Sequence, residues 1–179
     1  QPFTKEDEAL MVRLAADAAS AIENARLFEE VQRLAVTDEL TGLHNRRSFF
    51  ELAGHEFERA RRYGRPLAAI MLDVDHFKQV NDTYGHAIGD QVLRAVAARC
   101  RESLREIDLL GRYGGEEFVA FLPESDLHGA RNAAERLRQC VAEAPFDTLR
   151  GPVTVTISLG VASFTESCPG LSELLNQAD

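Results

Sequence analysis

Residues 67–75 read Leu67-Ala68-Ala69-Ile70-Met71-Leu72-Asp73-Val74-Asp75, a short apolar run that ends in two carboxylates. An uninterrupted apolar run of this length is typical of a central strand that is buried on both faces of a sheet. Asp73 and Asp75 are expected to point to opposite faces at the strand end, with only one of them reaching a site beside it. We assign that position to Asp73.

A second acidic cluster lies further along the chain, in Gly114-Gly115-Glu116-Glu117-Phe118. The flanking residues 109–113 and 118–122 are predicted to form the two strands of a hairpin, with a Gly-Gly turn that uses positive φ. If the hairpin tip packs beside the end of the central strand, Asp73 and Glu116 supply two hard oxygen ligands to one cation. Magnesium prefers such a site, with one or two carboxylates and substrate phosphates. The alternative for Asp73 is an acid that caps the next helix.

The rest of the pattern predicts an α+β domain with a mostly antiparallel sheet. Helices are predicted over residues 45–63, 76–82, 90–103 and 126–142, and a β-branched strand over residues 153–158. Gly64 and Pro66 are expected to stop the first of these helices. Gly85 and Gly89 are expected to bracket a loop before the third.

The N-terminal part is predicted to be one long helix from Thr4 to about Val36, because it is rich in Ala, Leu, Glu and Arg and lacks Gly and Pro. Thr4 and Asp7 have the spacing of a helix N-cap and its partner. Apolar residues recur at seven-residue spacing, at Leu14, Ala21, Phe28 and Ala35. A lone helix has nothing of its own against which to bury this stripe. We therefore predict a homodimer formed through the N-terminal helix, with packing on a neighbouring domain as the alternative.

The segment Thr37-Asp38-Glu39-Leu40-Thr41-Gly42-Leu43 interrupts the helical pattern with a Gly and capping residues, and is predicted to be a hinge. This divides the chain into an N-terminal signalling helix, residues 1–36, and a catalytic domain, residues 37–179. A length of 179 residues accommodates one core and one such extension.

Composition excludes several classes of protein. The chain has 45% hydrophobic and 27% charged residues, and no apolar stretch approaches the ~20 residues of a membrane span. A formal charge of −9 argues against broad nucleic-acid binding, which needs many Lys and Arg side chains. A phosphate ligand is therefore expected to arrive with metal ions.

The compartment is predicted to be the reducing cytoplasm. The three cysteines, Cys100, Cys140 and Cys168, are far apart in sequence, odd in number and free of Cys-x-x-Cys spacing. Acidic residues interrupt the first thirty positions, so no signal peptide is predicted there and secretion is not expected.

Several motifs in order resemble one known family. Arg112-Tyr113 followed by Gly114-Gly115-Glu116-Glu117-Phe118 resembles the signature of the GGDEF family of diguanylate cyclases, in its GGEEF form. Further segments similar to that family are Thr37–Arg47, Asp73–Asp82, Gly85-His86 and Gly89-Asp90. The resemblance covers residues 37–179, and residues 2–26 resemble the final helix of a GAF-type sensor domain that would lie upstream.

The resemblance implies a palm-like fold, shared with adenylyl cyclases and polymerases, that joins two GTP molecules into cyclic di-GMP and releases two pyrophosphates. Each protomer would hold one GTP, so that the reaction needs a homodimer. Asp73 and Glu116 would ligate Mg²⁺ through their carboxylates, with Mn²⁺ as an alternative ion, and Val74 through its carbonyl. Glu117 would be a further metal ligand or the base that accepts the hydroxyl proton. Its alternative is an exposed hairpin acid.

The same resemblance assigns substrate-binding residues. Asn81 and Asp90 would read the guanine edge, although by themselves Asn81 would more often be a turn residue and Asp90 a helix N-cap. His76, Phe77 and Lys78 would begin a short helix whose backbone N–H groups cradle phosphates. Lys78 would add a positive charge, or else be an ordinary solvated helix residue.

A third site implied by the resemblance inhibits the enzyme with its own product. Arg105 and Asp108 have the Arg-x-x-Asp spacing of that site, and Arg136 on the following helix would supply its second half. An Arg and an Asp three residues apart are also a common surface pair. The planar guanidinium of Arg105 suits guanine and phosphate, and the carboxylate of Asp108 can accept from guanine.

The sequence is thus interpreted as a cytoplasmic diguanylate cyclase output module, whose coiled-coil helix transmits an input by changing how two active sites face one another. Family members usually continue past Asp179 with a helix that bears a Lys and an Arg for GTP phosphates, so the usual C-terminal tail is expected to be missing from these residues. The alternatives are a catalytically silent receptor that binds cyclic di-GMP at Arg105 and Asp108, and a pure dimerisation module.

Overall fold

The computed structural model describes residues 36–179 and, before them, residues 11, 13–15, 18–20 and 22–24. The chain divides into two compact units, residues 1–36 and 37–179. In the first unit the described residues are helical and exposed, with Leu14 54% exposed and Ile22 59% exposed. The N-cap at Thr4 and most of the seven-residue repeat lie outside the described residues, so homodimerisation through this helix stays a prediction.

The second unit is built from five helices and six strands among the described residues. In chain order they are α1 (Arg46–Tyr63), β1 (Leu67–Val74), α2 (Phe77–Tyr84), α3 (His86–Ser103), β2 (Leu109–Arg112), β3 (Glu117–Pro123), α4 (Leu127–Ala142), β4 (Phe146–Thr148), β5 (Gly151–Val153), β6 (Ile157–Ser163) and α5 (Leu171–Ala178). None of the described helices is both long enough and apolar enough to pass through a lipid bilayer.

The main sheet has the strand order β2-β3-β1-β6, and all its neighbours are antiparallel. The predicted central strand is confirmed, since β1 pairs with β3 on one side and β6 on the other. Its register places Asp73 opposite Glu117 of β3 and Ser158 of β6. The α+β class with a mostly antiparallel sheet is confirmed as well.

Both faces of β1 are buried, which explains its uninterrupted apolar sequence. Ala68, Ile70 and Leu72 point to a core layer that includes residues of α3 and α4. Ala69 and Met71 point to the opposite layer, which includes residues of α1 and α5. A strand held from both sides keeps its carboxyl end, and therefore Asp73, in a fixed position.

Capping residues delimit two of the predicted helices. The Asn45 side chain accepts a hydrogen bond from the Ser48 backbone N–H at the start of α1, and Gly64 ends that helix in the left-handed region at φ 62. Asp126 caps α4 by accepting from the Gly129 N–H.

The loop predicted between Gly85 and Gly89 is wrong. Gly85, at φ 88, separates α2 from α3, but α3 already begins at His86 and includes Gly89 and Asp90. A Cβ atom at Gly89 would collide with the Asn81 side chain. The glycine therefore allows two helices to approach closely and does not break either of them.

The single strand predicted over residues 153–158 is also wrong. Val153 ends β5 in a separate hairpin with β4, and Ile157 begins β6 of the main sheet, which continues to Ser163. Residues 154–156 connect the two sheets. Alternating β-branched residues indicate an extended chain, but they do not determine which partner strand each part joins.

Candidate active site

The tip of the β2–β3 hairpin lies beside the carboxyl end of β1. The Val74 backbone N–H donates to the carbonyl oxygen of Glu116 over 3.4 Å, just beyond the last pair in register, Asp73 with Glu117. Asp73 is exposed at this end of the strand, and both glutamates are half-buried. The two acidic clusters of the sequence therefore form one group of carboxylates.

These carboxylates repel one another. The pKa of Asp73 is raised first by partial burial, and then by the negative charges of Glu116, Glu117, Asp75 and Asp179. An acid whose ionised form is disfavoured by like charges is stabilised when a cation binds among them. The donor set consists of hard oxygen atoms and thus fits Mg²⁺ or Mn²⁺.

The carboxylates lie beside an open cavity. Among the residues that the structure describes, no three His, Cys, Asp or Glu side chains are arranged to hold a metal ion by themselves. An open cavity of about 240 Å³ lies next to the carboxylates, lined in part by Asp73, Glu117, Ser158 and Asp179. Magnesium commonly combines one or two carboxylates with phosphate oxygens, so this geometry suits a metal that arrives with a nucleotide.

Asp75 lies just beyond the end of β1 at Val74, and the expectation that strand alternation separates it from Asp73 is wrong, because residues two apart along a strand share a face. Its carboxylate accepts from the hydroxyls of Thr156 (2.5 Å) and Ser158 (2.6 Å). Burial would raise the pKa of Asp75, but the hydrogen bonds from Ser158 and Thr156 outweigh it and hold the pKa below its ordinary value. Asp75 thus ties the end of β1 to the start of β6.

The Gly-Gly turn has a different basis from the predicted one. Neither Gly114 nor Gly115 has positive φ, so that prediction is wrong. A Cβ atom at Gly114 would instead collide with the Glu117 carboxylate, whereas a Cβ at Gly115 would meet no atom within 4 Å. Gly114 therefore leaves room for the Glu117 carboxylate, which folds back over the turn.

Arg112, a residue of the motif to which the sequence assigned no role, holds this turn in place. The Arg112 guanidinium donates to the carbonyls of Gly114 (Nε, 3.2 Å) and Gly115 (Nη2, 2.7 Å). Its Nη1 donates to both carboxylate oxygens of Asp38, each at 3.1 Å. Asp38 also accepts from the backbone N–H and the hydroxyl of Thr41. The hairpin tip is therefore tied to the segment that opens the domain.

The residues proposed to bind the nucleotide lie where β1 leads into α2 and α3. His76 precedes α2 in the left-handed region at φ 56, and the first backbone N–H groups of a helix have no partner within it. Phe77 is 7% exposed and belongs to the core, so only its backbone faces outward, whereas Lys78 is exposed. These residues follow the carboxylates directly in the chain.

Asn81 has a side-chain oxygen that lacks a hydrogen-bond donor among the described residues. Its side-chain oxygen is buried and accepts no hydrogen bond within the described part of the chain, and it lies against Gly89. Asp90, the next residue on α3, is half-buried. An unsatisfied buried acceptor is uncommon in folded proteins and marks a place where a ligand can donate.

The predicted inhibitory residues line a separate cavity of about 420 Å³, together with Ser125. Asp108 is 2% exposed, and its two oxygens accept from the Arg105 side chain at 2.9 Å and 3.2 Å. Arg105 also donates to Ser125, and Arg136 to the carbonyl of Ser103. The Asp108 oxygens thus already accept from Arg105, and the Arg105 side chain is the more exposed of the two.

Comparison with known proteins agrees with this architecture. Residues 35–179 match the family described as "Diguanylate cyclase, GGDEF domain". The response regulator PleD of Caulobacter vibrioides is 46% identical over 148 residues, which cover 82% of this chain and 33% of PleD. Diguanylate cyclase DgcP of Pseudomonas aeruginosa is 40% identical over 157 residues, covering 88% of this chain and 23% of DgcP. The chain thus spans a third or less of these two relatives.

A solved structure is similar throughout most of the chain. The coiled coil and GGDEF domain of DgcB from Caulobacter crescentus, in complex with c-di-GMP, has a TM-score of 0.83 and 30% identity. The match covers 96% of this chain and 91% of that one. With its antiparallel sheet, its carboxylates at the β1 end and its matched residues 35–179, this chain belongs to the GGDEF family of diguanylate cyclase domains.

Proposed function

We propose that this chain is the catalytic part of a diguanylate cyclase, which condenses two GTP molecules into cyclic di-GMP and releases two pyrophosphates. The observation that carries the proposal is the convergence of Asp73, Glu116 and Glu117 beside an open cavity at the end of β1. Asp73 and Glu116 would hold Mg²⁺ or Mn²⁺ with their carboxylates, and Val74 with its carbonyl. When bound, the metal supplies positive charge for the phosphates and lowers the pKa of the attacking hydroxyl.

The protein residues have distinct tasks in this reaction. Glu117 borders the same cavity, where it accepts the proton of the 3′-hydroxyl or adds a further metal ligand. The backbone N–H groups of His76, Phe77 and Lys78, at the start of α2, would donate to phosphate oxygens, and the Lys78 ammonium would add positive charge. Asn81 and Asp90 accept from guanine, a base that offers donors where adenine does not.

The reaction requires a second copy of the chain. One set of carboxylates serves one GTP, so the two half-sites must face each other before either 3′-hydroxyl can attack the other nucleotide. The N-terminal helix is the proposed means of pairing, and the sensor expected upstream would act by shifting the population of productive dimers. The cavity of Arg105, Asp108 and Arg136 is the proposed site of product inhibition.

The purified protein with Mg²⁺ and GTP should form cyclic di-GMP, measured by anion-exchange chromatography, and ATP should give no cyclic product. Specific activity should fall on dilution, because the active species is a dimer. Binding of cyclic di-GMP without any GTP turnover would instead support the catalytically silent receptor. Turnover that is independent of protein concentration down to the nanomolar range would contradict a requirement for reversible pairing.

A further inference from the structure

The Arg105 guanidinium is held along one edge at the cavity proposed for product inhibition, which we call the inhibitory cavity. Its Nε and Nη2 donate to the Asp108 carboxylate at 3.2 Å and 2.9 Å. Nη2 also donates to the Ser125 hydroxyl at 2.7 Å and to the carbonyl of Pro123 at 3.2 Å. Within the part of the chain that the structure describes, Nη1 donates no hydrogen bond. Nη1 is therefore the donor that remains for a ligand.

Ser125 joins this guanidinium to the turn between β3 and α4. The residue is 8% exposed, and it lines the same cavity as Arg105. Its hydroxyl donates to the carbonyl of Pro123 at 3.4 Å, so that its lone pairs are free to accept from Arg105. A hydrogen bond from a charged donor is roughly twice as strong as one between neutral groups. Ser125 thus fixes the direction of the Arg105 Nη2 group.

The turn that carries Ser125 is itself held from both sides. Glu124 has a φ of 56, which is uncommon for a residue other than glycine and persists only where the surroundings support it. Arg65, just after the end of α1, forms an ion pair with the Glu124 carboxylate. Asp126 caps α4 by accepting from the Gly129 N–H at 2.7 Å. The position of Ser125 is therefore set by the fold around it and not by Arg105 alone.

Ser125 and Asp108 hold the guanidinium in different ways. Asp108 lies three residues from Arg105 in the same turn before β2, so its contacts are local. Ser125 lies twenty residues away and ties that turn to a different element. An arginine side chain has many rotamers, and fixing them before a ligand binds lowers the entropic cost of binding. A planar guanidinium in a fixed orientation also favours planar or two-pronged acceptors, such as guanine and phosphate.

We propose that Ser125 is a positioning residue of the inhibitory cavity, which holds Nη2 of Arg105 so that Nη1 is presented to the guanine or phosphate of a cyclic dinucleotide. The inference rests on the function proposed above for this cavity. The Arg-x-x-Asp spacing of Arg105 and Asp108 does not include Ser125, whose contribution follows only from the packing of the β3–α4 turn against the turn before β2.

Isothermal titration calorimetry of cyclic di-GMP into the protein, without GTP or Mg²⁺, tests this role. Ser125→Ala should raise Kd about five- to tenfold, because Nη2 loses an acceptor and the guanidinium gains freedom. Ser125→Thr keeps the hydroxyl and should restore Kd to within about twofold of wild type. Ser167→Ala removes a hydroxyl at an exposed position and should leave Kd unchanged. Thermal unfolding of each variant checks that it is folded.

A double-mutant cycle separates positioning of Arg105 from a general effect on the fold. Arg105→Ala should weaken binding at least about tenfold, and adding Ser125→Ala should then cause no further loss, because the group that Ser125 positions is gone. The same loss from Ser125→Ala in both backgrounds would overturn the proposal. Wild-type affinity in Ser125→Ala, with weakened binding in Arg105→Ala, would overturn the role of Ser125 and leave the inhibitory cavity supported. Wild-type affinity in Arg105→Ala would contradict the inhibitory cavity itself, and the role of Ser125 with it.

Discussion

Arg112 is predicted to couple the start of the domain to the catalytic turn, and a double-mutant cycle with Asp38 tests this directly. Its guanidinium makes five hydrogen bonds, two to the Asp38 carboxylate and three to the carbonyls of Gly114 and Gly115. The ion pair is largely sheltered, with side-chain exposures of 18% for Arg112 and 22% for Asp38. Arg112→Gln removes the charge and the planar fork while keeping a polar side chain of similar reach.

Arg112→Gln should lower the free energy of unfolding, because the Asp38 carboxylate and the carbonyls of Gly114 and Gly115 lose their hydrogen-bond donor. Hydrogen bonds to charged groups contribute about 1.5–3 kcal/mol each when one partner is lost, and these bonds share one side chain. We expect the free energy of unfolding to fall by about 2–3 kcal/mol, which lowers Tm by roughly 6–9 °C in a domain of this size. Asp38→Asn keeps an acceptor for Thr41 but loses the charge, so it should cost somewhat less.

Urea unfolding followed by circular dichroism gives the free energies of unfolding that the double-mutant cycle compares. The double variant should be more stable than the sum of the two single losses predicts, by about 1–2 kcal/mol, because both changes remove the same interaction. Arg112→Lys is the matched control: it keeps the charge but not the fork, and should fall between wild type and Arg112→Gln. Strict additivity of the two single losses would refute the coupling.

The contribution of Asp38 to the free energy of unfolding should be lost at low pH. Partial burial would raise the pKa of Asp38, but hydrogen bonds from Thr41 and Arg112 and the charge of Arg112 hold it below its ordinary value. A carboxyl with a lowered pKa stabilises the fold above its unfolded pKa of ~3.9 and loses that effect as the pH falls through the folded value. The difference between wild type and Asp38→Asn should therefore be constant near neutrality and shrink only below about pH 4.

Three further predictions address the carboxylates, the guanine pocket and the inhibitory cavity. Asp73→Asn should abolish cyclic di-GMP formation. In thermal unfolding without metal, the same variant should be more stable than wild type by ~0.5 kcal/mol, because it removes exposed like-charge repulsion. This gain in stability should vanish at low pH, where Asp73 is protonated. Gly89→Ala should displace the Asn81 side chain and weaken GTP binding, measured by calorimetry, about tenfold or more. Gly115→Ala is the control: its added Cβ meets no atom within 4 Å, so the GTP affinity should be unchanged. Arg105→Ala should raise the cyclic di-GMP concentration needed for half-inhibition at least about tenfold.

The sequence predicts those features that depend on strong local rules. The apolar run of β1 identifies a strand buried on both faces, Asn45 and Asp126 identify helix starts, and the hairpin follows from Gly114-Gly115 between two apolar segments. In each case a short window of residues contains the physical cause.

The features that were mispredicted or missed depend on contacts between distant segments. Gly89 has the appearance of a helix breaker, but its role is to leave room for Asn81 on a neighbouring helix. The Gly114 turn depends on the Glu117 side chain and not on positive φ. No pattern within a single segment contains this information.

The most direct test of the central claim is the rate of cyclic di-GMP formation by Glu116→Gln. This variant keeps the size of the side chain and removes the charge proposed to hold the metal, while Glu166→Gln makes the same change at an exposed loop position. With saturating GTP and Mg²⁺, Glu116→Gln should lose ~100-fold or more in kcat, about 2.7 kcal/mol of barrier, and Glu166→Gln should match wild type. Wild-type turnover in Glu116→Gln would contradict the proposal that the carboxylates beside β1 are the metal-binding catalytic centre.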